Sequence, residues 1–229
     1  MRKLTGLLFA GGLGFMLLAI ASGLDFGATP MLVGSAIQAA APQQTGAANM
    51  VTSVVLGYRG IDTLGELAIL FAAASGAGLI LGRRHTSAGT QSGGGFVLRQ
   101  GGALLFPLLM VIGFYIIFHG HLTPGGGFQG GVILAAAFFL PLLARPGATL
   151  HHGMLSVIEG FAGASFILIG LVALVEGKAF LQPMLIQDSL GQLVSAGTLP
   201  LLYLAVGLKV GAELASLLSH LSQTEAETS

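Results

Sequence analysis

The sequence predicts an all-α, polytopic membrane protein with about six transmembrane helices. Hydrophobic residues make up 54% of the 229-residue chain and charged residues only 8%, against about 25% charged residues in a typical soluble domain. The mean hydropathy is +0.88. Apolar segments approaching the roughly 20 residues that cross a bilayer recur along the chain. Lipid is therefore the expected solvent.

The charge balance and the residue usage exclude several classes of function. The formal net charge is zero, so there is no basic surface for nucleic acid and no nucleic-acid partner is expected. The chain has no cysteine, which excludes disulfides, thiolate catalysis and thiolate metal sites. No nucleophile–histidine–acid arrangement for hydrolysis is visible. We predict no catalytic residues, no bound cofactor and no metal centre.

Six apolar segments are candidate spans. The first follows MRK and ends near Ala19-Ile20-Ala21, a pattern close to a secretory signal peptide; we interpret it as a span. A short helix at the membrane surface is expected at 47–57. The predicted spans are 4–22, 61–82, 101–119, 127–144, 154–175 and 193–217.

The distribution of Lys and Arg predicts that both termini face the cytoplasm. Cytoplasmic loops of membrane proteins carry an excess of these residues. With the N-terminus inside, Arg59 and Lys178 lie outside, whereas six basic residues lie inside: Arg2, Lys3, Arg83, Arg84, Arg99 and Arg145.

Residues 119–131 read HGHLTPGGGFQGG and precede an apolar run. Gly125, Gly127 and Gly130 fit GxGxxG, but a span rather than a strand precedes them and no acidic residue follows until Glu159. A nucleotide-binding loop is therefore disfavoured. We predict a tight hairpin, because Pro124 stops the preceding helix and glycine permits positive φ in the turn.

Glycines spaced four residues apart predict flat helix faces that allow close helix packing. We expect these faces to pack against more helices than the six of this chain. The pairs are Gly126/Gly130, Gly127/Gly131, Gly207/Gly211 and Gly78/Gly82.

Two strings resemble a known family. HGHLTPGGGFQGGVILAAAF, followed by LAVGLKVGAEL at 204–214, is similar to the MnhB (MrpB) component of the Mrp (Mnh) multisubunit Na+/H+ antiporter, and the similarity extends over about 96–220. VLGYRGIDTLGELAIL at 55–70 resembles the end of the large MnhA (MrpA) component of the same antiporters. In membrane-bound hydrogenases that piece is a separate small subunit.

The resemblance implies a chain of four parts: a two-helix MnhA-like region at 1–85, a linker at 86–95, a four-helix MnhB-like domain at 96–220 and a polar tail at 221–229. It implies a non-catalytic, multi-pass subunit of the cell membrane. The partners would be lipid and other integral membrane subunits, and the transported ions Na+ and H+. Two alternatives stay open: the same module in a complex I-like redox pump such as a membrane-bound hydrogenase, and a purely structural scaffold.

Charged residues inside predicted spans are candidates for an ion or proton path, because each costs at least about 2.5–3.5 kcal/mol to insert. Lys209 and Glu213 share a helix face at i, i+4. If the last span instead covers 189–208, Lys209 would extend to the cytoplasmic surface.

Asp62 and Glu66 share a face at the start of the second span, after Arg59, and Glu159 lies near the start of the fifth. We expect Arg59 to pair with Asp62 and Glu66 to lie about 6 Å deeper. The alternative for Asp62 and Glu159 is that an acid near a helix N-terminus complements the helix dipole.

His119 and His121 flank the hairpin and complete the candidate set. We place both at the outer surface, where an imidazole can exchange protons near neutral pH. The alternative is a solvated interfacial pair. Two histidines without a third ligand make a weak metal site.

Overall fold

The computed structural model describes residues 2–24, 31–81, 95–144, 150–186 and 189–225. Within these ranges the chain is helical and has no strand, which confirms the predicted all-α class. The helices are α1 (Arg2–Ser22), α2 (Leu32–Thr45), α3 (Met50–Thr52, continued by a π-helical segment Ser53–Tyr58), α4 (Gly60–Leu81), α5 (Phe96–Phe118), α6 (Gly127–Ala144), α7 (His152–Val175) and α8 (Leu199–Glu225).

The chain separates into two compact units, residues 1–37 and 38–229. The first contains α1 and the start of α2. The second contains the remainder of α2 and helices α3 to α8. Residues 86–94 of the linker predicted at 86–95 lie outside the described residues. In the tail predicted at 221–229, residues 221–225 continue α8 as helix.

Among the described residues, six helices are long and apolar enough to cross a membrane, in agreement with the predicted number. They cover Lys3–Ser22, Gly60–Ile80, Phe96–Phe118, Gly127–Ala144, His152–Val175 and Leu199–Leu221. The sequence places the start of the last span too early, because residues 193–198 form turns and α8 begins at Leu199. The alternative span at 189–208 is therefore wrong.

Helix α8 forms the centre of the second unit and contacts α4, α5, α6 and α7. Its apolar segment is 61% buried, the largest fraction among the six candidate spans. Leu202, Val206 and Val210 of α8 pack in one buried cluster with Ile117 of α5 and Phe166 of α7. A polar side chain on the buried face of α8 at mid-length is therefore enclosed by neighbouring helices.

Glycine allows the close approach of α5, α6 and α8. A Cβ atom added at Gly131 would lie 2.8 Å from the Gly207 carbonyl oxygen, and one at Gly130 would lie 2.7 Å from that of Gly113. Both separations are too short for real atoms. As predicted, the flat faces at the start of α6 and along α8 allow close helix packing, and the helices that occupy them belong to this chain. The glycines involved on these two helices are Gly127, Gly130, Gly131, Gly207 and Gly211.

The connection between α5 and α6 is the tight hairpin that the glycine cluster predicts. Helix α5 ends at Phe118, before Pro124, and Gly125 and Gly126 adopt φ angles of 150° and 143°. Side chains with a Cβ rarely adopt such angles. The prediction of positive φ in this turn is therefore confirmed.

Candidate functional site: a buried charge cluster

Lys209 lies at the centre of the bundle and pairs with two carboxylates. It is ten residues beyond the start of α8, or about 15 Å along the helix axis, and it is 9% exposed. Its Nζ donates to Glu213 Oε1 at 2.6 Å and to Glu159 Oε1 of α7 at 3.4 Å. The structure thus brings together three of the predicted candidates.

The local sequence explains how Lys209 reaches both carboxylates. Glu213 is one turn further along the same helix, so its side chain is on the same face. A Cβ added at Gly163 of α7 would lie 3.5 Å from Lys209 Cδ, which shows that the lysine stem crosses this glycine. The ammonium also lies 4.9 Å from the centre of the Phe71 ring of α4, an arrangement that favours a cation.

Glu213 is the most deeply buried member of the cluster, at 2% exposed. Its Oε1 accepts from Lys209, whereas its Oε2 accepts no hydrogen bond from the described residues. The carboxylate borders a cavity of about 100 Å³ between α4, α7 and α8. A buried oxygen without a donor is costly, so this atom requires an explanation.

The cavity is lined by groups that sequence reasoning missed. Ser75 of α4, with Ser216 and His220 of α8, borders it beside Glu159 and Glu213. The His220 ring stacks on His152 of α7 with centroids 4.7 Å apart. The spacing of positions 209, 213, 216 and 220 follows a single helix face and is the signal that points to Ser216 and His220.

The acidic residues of α4 are in a different environment. Asp62 pairs with Arg59 through the guanidinium, as expected, and both side chains are largely exposed. Glu66 lies one turn deeper on α4 and is also exposed. The structure therefore brings neither of these acids to the buried cluster. Both lie on a surface of α4 that the described part of this chain leaves uncovered.

The two hairpin histidines differ from each other. His119 stacks on Tyr115 with ring centroids 4.1 Å apart and is partly exposed. His121 is 0% exposed, so the alternative of a solvated interfacial pair is wrong for this histidine. It is enclosed because the hairpin folds under the 189–198 turns, where Nε2 lies 3.3 Å from the Gln192 carbonyl oxygen. Burial is the main cause that lowers the pKa of His121 below 6.5.

A contact between the hairpin and α3 was also missed. Asn49 donates to the carbonyl oxygens of Gly120 and Thr123 at 2.8 and 2.9 Å. Thr52 donates to Gly120 as well, and its hydroxyl lies 2.6 Å from that of Tyr203 in α8. This network fastens α3 to the α5–α6 hairpin and to the start of α8.

Together, the fold and the cluster define a class of protein. The chain is a multi-pass helical membrane protein in which a lysine and a glutamate of one spanning helix meet a glutamate of another. Ionisable groups inside a membrane are costly and mark candidate functional sites. Residues 97–216 match the family of domains related to the MnhB subunit of Na+/H+ antiporter. The match covers more than half of the chain, and the chain therefore belongs to this family.

Curated relatives support the assignment. An uncharacterized protein of Methanocaldococcus jannaschii is 29% identical over 195 residues, covering 73% of this chain and 74% of the relative. The Staphylococcus aureus putative antiporter subunit mnhB2 is 50% identical over 48 residues, covering 21% of this chain and 34% of the relative. The chain thus matches about a third of the staphylococcal protein.

Two solved structures contain chains with a similar fold. One belongs to the membrane-bound sulfane sulfur reductase, an archaeal respiratory membrane complex, with a TM-score of 0.81 and 37% identity over 96% of this chain and 97% of that one. The other belongs to the Mrp complex from Dietzia, with a TM-score of 0.75 and 25% identity over 96% of this chain but 26% of that one. The segments on both sides of 86–95 therefore occur together in a single chain in the reductase.

Proposed function

We propose that this chain is a non-catalytic membrane subunit of an Mrp-type Na+/H+ antiporter and contributes charged residues to its proton or sodium path. The observation that carries the proposal is the position of Lys209 between Glu213 and Glu159, midway along the central helix. Inserting such groups into a bilayer is costly, so their presence there calls for a function. Membership in the MnhB-related family supports the same conclusion.

The geometry suits a relay because the lysine has two acceptors at unequal distances. The ammonium is 2.6 Å from Glu213 and 3.4 Å from Glu159. A small rotation of the flexible lysine stem would reverse this preference and change which carboxylate is neutralised. An approaching proton or cation that neutralises one carboxylate would favour pairing of Lys209 with the other, which links ion arrival to a local movement.

The exposed acids of α4 provide a second part of the path, on the side facing other subunits. Glu66 lies within the apolar α4 segment and is exposed in this chain. A carboxylate facing lipid would be unfavourable, so we propose that another integral membrane protein of the assembly covers it. Asp62 and the hairpin residue His119 lie nearer the aqueous phase, and the second hairpin histidine, His121, is buried.

The chain resides in the cell membrane with both termini in the cytoplasm and is surrounded by other membrane subunits and lipid. Residues 1–85, which resemble the end of an antiporter MnhA component, and the MnhB-like domain at 96–220 are parts of one subunit, linked in sequence by 86–95. The tail at 221–229 faces the cytoplasm.

The second candidate is the same module in a redox-driven pump. The specific observation in its favour is the reductase chain, which is more similar to this chain than the Dietzia chain and is nearly coextensive with it. Mass spectrometry of the purified assembly distinguishes the two candidates. Iron–sulfur or other redox subunits would favour the pump, and their absence from an otherwise complete complex would favour the antiporter.

Transport measurements test the proposed path. The assembly is reconstituted in vesicles, and Na+-dependent proton movement is followed for wild type, Lys209→Ala and Glu66→Ala. Both variants should remain assembled and lose most of the exchange. For Lys209→Ala the exchange rate is divided by the amount of assembled complex, because loss of the ammonium also lowers the stability of the assembly. Glu176→Ala is the matched control, because Glu176 is an acid outside the spans that pairs with Lys178. Wild-type exchange in both variants would contradict the proposal and favour a structural scaffold.

A further inference from the structure

The charges of the buried cluster do not balance. Lys209 contributes one positive charge, whereas Glu159 and Glu213 contribute two negative charges when ionised. The side chains of Lys209 and Glu213 are 11% and 1% exposed, and that of Glu159 is 20% exposed. A net negative charge is strongly disfavoured at such depth, because desolvation of an ion is repaid only by a well-placed partner. One further positive charge would neutralise the cluster.

The unsatisfied atom of the cluster indicates where that charge would bind. Glu213 Oε1 is occupied by Lys209, and Oε2 accepts no hydrogen bond from the described residues. The side chain borders the cavity of about 100 Å³. A single water needs only about 10–15 Å³ measured in this way, so the cavity has room for a small cation with some of its water.

The lining of the cavity indicates the kind of cation. Its charged lining groups are the carboxylates of Glu159 and Glu213, and Ser75 and Ser216 add hydroxyl oxygens. Oxygen ligands suit hard cations. No group of three or more His, Asp or Glu side chains within the described ranges is arranged for a metal ion, and one net negative charge balances a monovalent ion rather than a divalent one.

We propose that this cavity is a Na+ site, with Glu213 Oε2 as its principal ligand and Lys209 as the fixed cation beside it. Glu159 supplies the second carboxylate, and Ser216 with Ser75 completes the oxygen lining. His220 borders the cavity, and its ring stacks on His152. The inference rests on the proposed function and deepens it, because it names the atom of the path to which Na+ binds.

Binding to the purified whole assembly in detergent tests the site without requiring transport. The assembly is titrated with NaCl, and choline replaces Na+ so that the ionic strength stays constant. Infrared difference spectroscopy follows the carboxylate bands, and 22Na+ binding is measured in parallel. Wild type should show a saturable carboxylate shift with Na+, and an isotope-edited Glu band should assign it. Glu213→Gln should abolish the shift.

A second variant and a control keep the test independent of assembly. Ser216→Ala leaves every charge in place and should weaken Na+ binding about tenfold, as expected for the loss of one polar contact to a charged group. Glu176→Gln should bind as wild type. A wild-type response in Glu213→Gln, or a Glu213 carboxyl that is protonated at neutral pH and insensitive to Na+, would overturn the site.

The outcomes also separate this inference from the proposed function. Suppose that Na+ binding depends on Glu213 but that exchange is unchanged in the Lys209→Ala and Glu66→Ala vesicles. The Na+ site is then retained and the proposed ion path is rejected. Loss of exchange in those variants without Na+ binding at Glu213 would retain the path and reject the site.

Discussion

The hydroxyl groups of Thr52 and Tyr203, 151 residues apart in the chain, lie 2.6 Å from each other in the buried interior. Thr52 belongs to α3, in the part of the chain that resembles the antiporter MnhA component, and Tyr203 belongs to α8 in the MnhB-like part. Thr52 also donates to Gly120 of the hairpin. This contact therefore joins the two parts directly.

We expect a double-mutant cycle on Thr52→Val and Tyr203→Phe to give a coupling energy of about 0.5–1.5 kcal/mol, the usual net value of a hydrogen bond. Thermal unfolding of the purified protein measures it. Tyr58→Phe is the control, because Tyr58 is partly exposed and its hydroxyl bonds Gln44 near the surface; it should change stability by less than about 0.5 kcal/mol. If the stability effects of Thr52→Val and Tyr203→Phe were fully additive, the contact between the two hydroxyl groups would contribute nothing to stability.

Lys209→Leu should destabilise the assembly by about 3–5 kcal/mol, because it leaves Glu213 buried without its ammonium partner. The triple replacement of Lys209, Glu213 and Glu159 by Leu should recover most of that loss, since no charge then remains buried. Thermal unfolding in detergent provides the measurement. If Lys209→Leu were as stable as wild type, water would already solvate the cluster.

Gly131→Ala should destabilise the bundle by about 1–3 kcal/mol, the usual cost of overpacking. The added methyl group would lie 2.8 Å from the Gly207 carbonyl oxygen and would force α6 away from α8. Gly160→Ala is the matched helical control, because its Cβ would meet nothing within 4 Å, and it should be neutral or stabilising by up to about 1 kcal/mol. The thermal unfolding midpoints of the two variants are compared with each other. Equal midpoints would contradict the close packing of Gly131 against α8.

The stability of the hairpin should fall as the pH drops below 6.5. Burial lowers the pKa of His121, so between this lowered pKa and 6.5 the unfolded chain binds more protons than the folded one. Stability therefore rises with pH through this window and is fully present above it. Amide hydrogen exchange of residues 119–123, followed between pH 5.5 and 7.5, should show the dependence after correction for intrinsic rates.

Two variants separate the contributions of the hairpin histidines. His121→Gln should remove the pH dependence, whereas His119→Gln should retain most of it, because the charge of His119 is a smaller cause of the lowered pKa than burial. A pH dependence that persists in His121→Gln would assign the effect to another group.

Prediction from sequence succeeded where the determining interactions are local. Six apolar segments predicted the spans, because bilayer insertion depends on the hydropathy of each segment by itself. Lys209 and Glu213 were expected to pair because the helical repeat places i and i+4 side by side. Gly125 and Gly126 were expected in a turn requiring positive φ, which is a property of the residue type.

What the sequence left open depended on contacts between distant segments. A solvated position was the alternative for His121, but the 189–198 turns cover it. Close packing at the glycine faces of α6 was expected from sequence, but that α5 and α8 of this chain fill them was not.

The sequence by itself determined a charge-poor chain of spanning helices with a lysine and a glutamate on one face of the last one. Only the tertiary structure decided that Glu159, 50 residues away, joins them and that a cavity opens beside Glu213. The physical reason is that hydropathy and helical periodicity act within a segment, whereas the choice of packed faces depends on the steric fit of all the helices together.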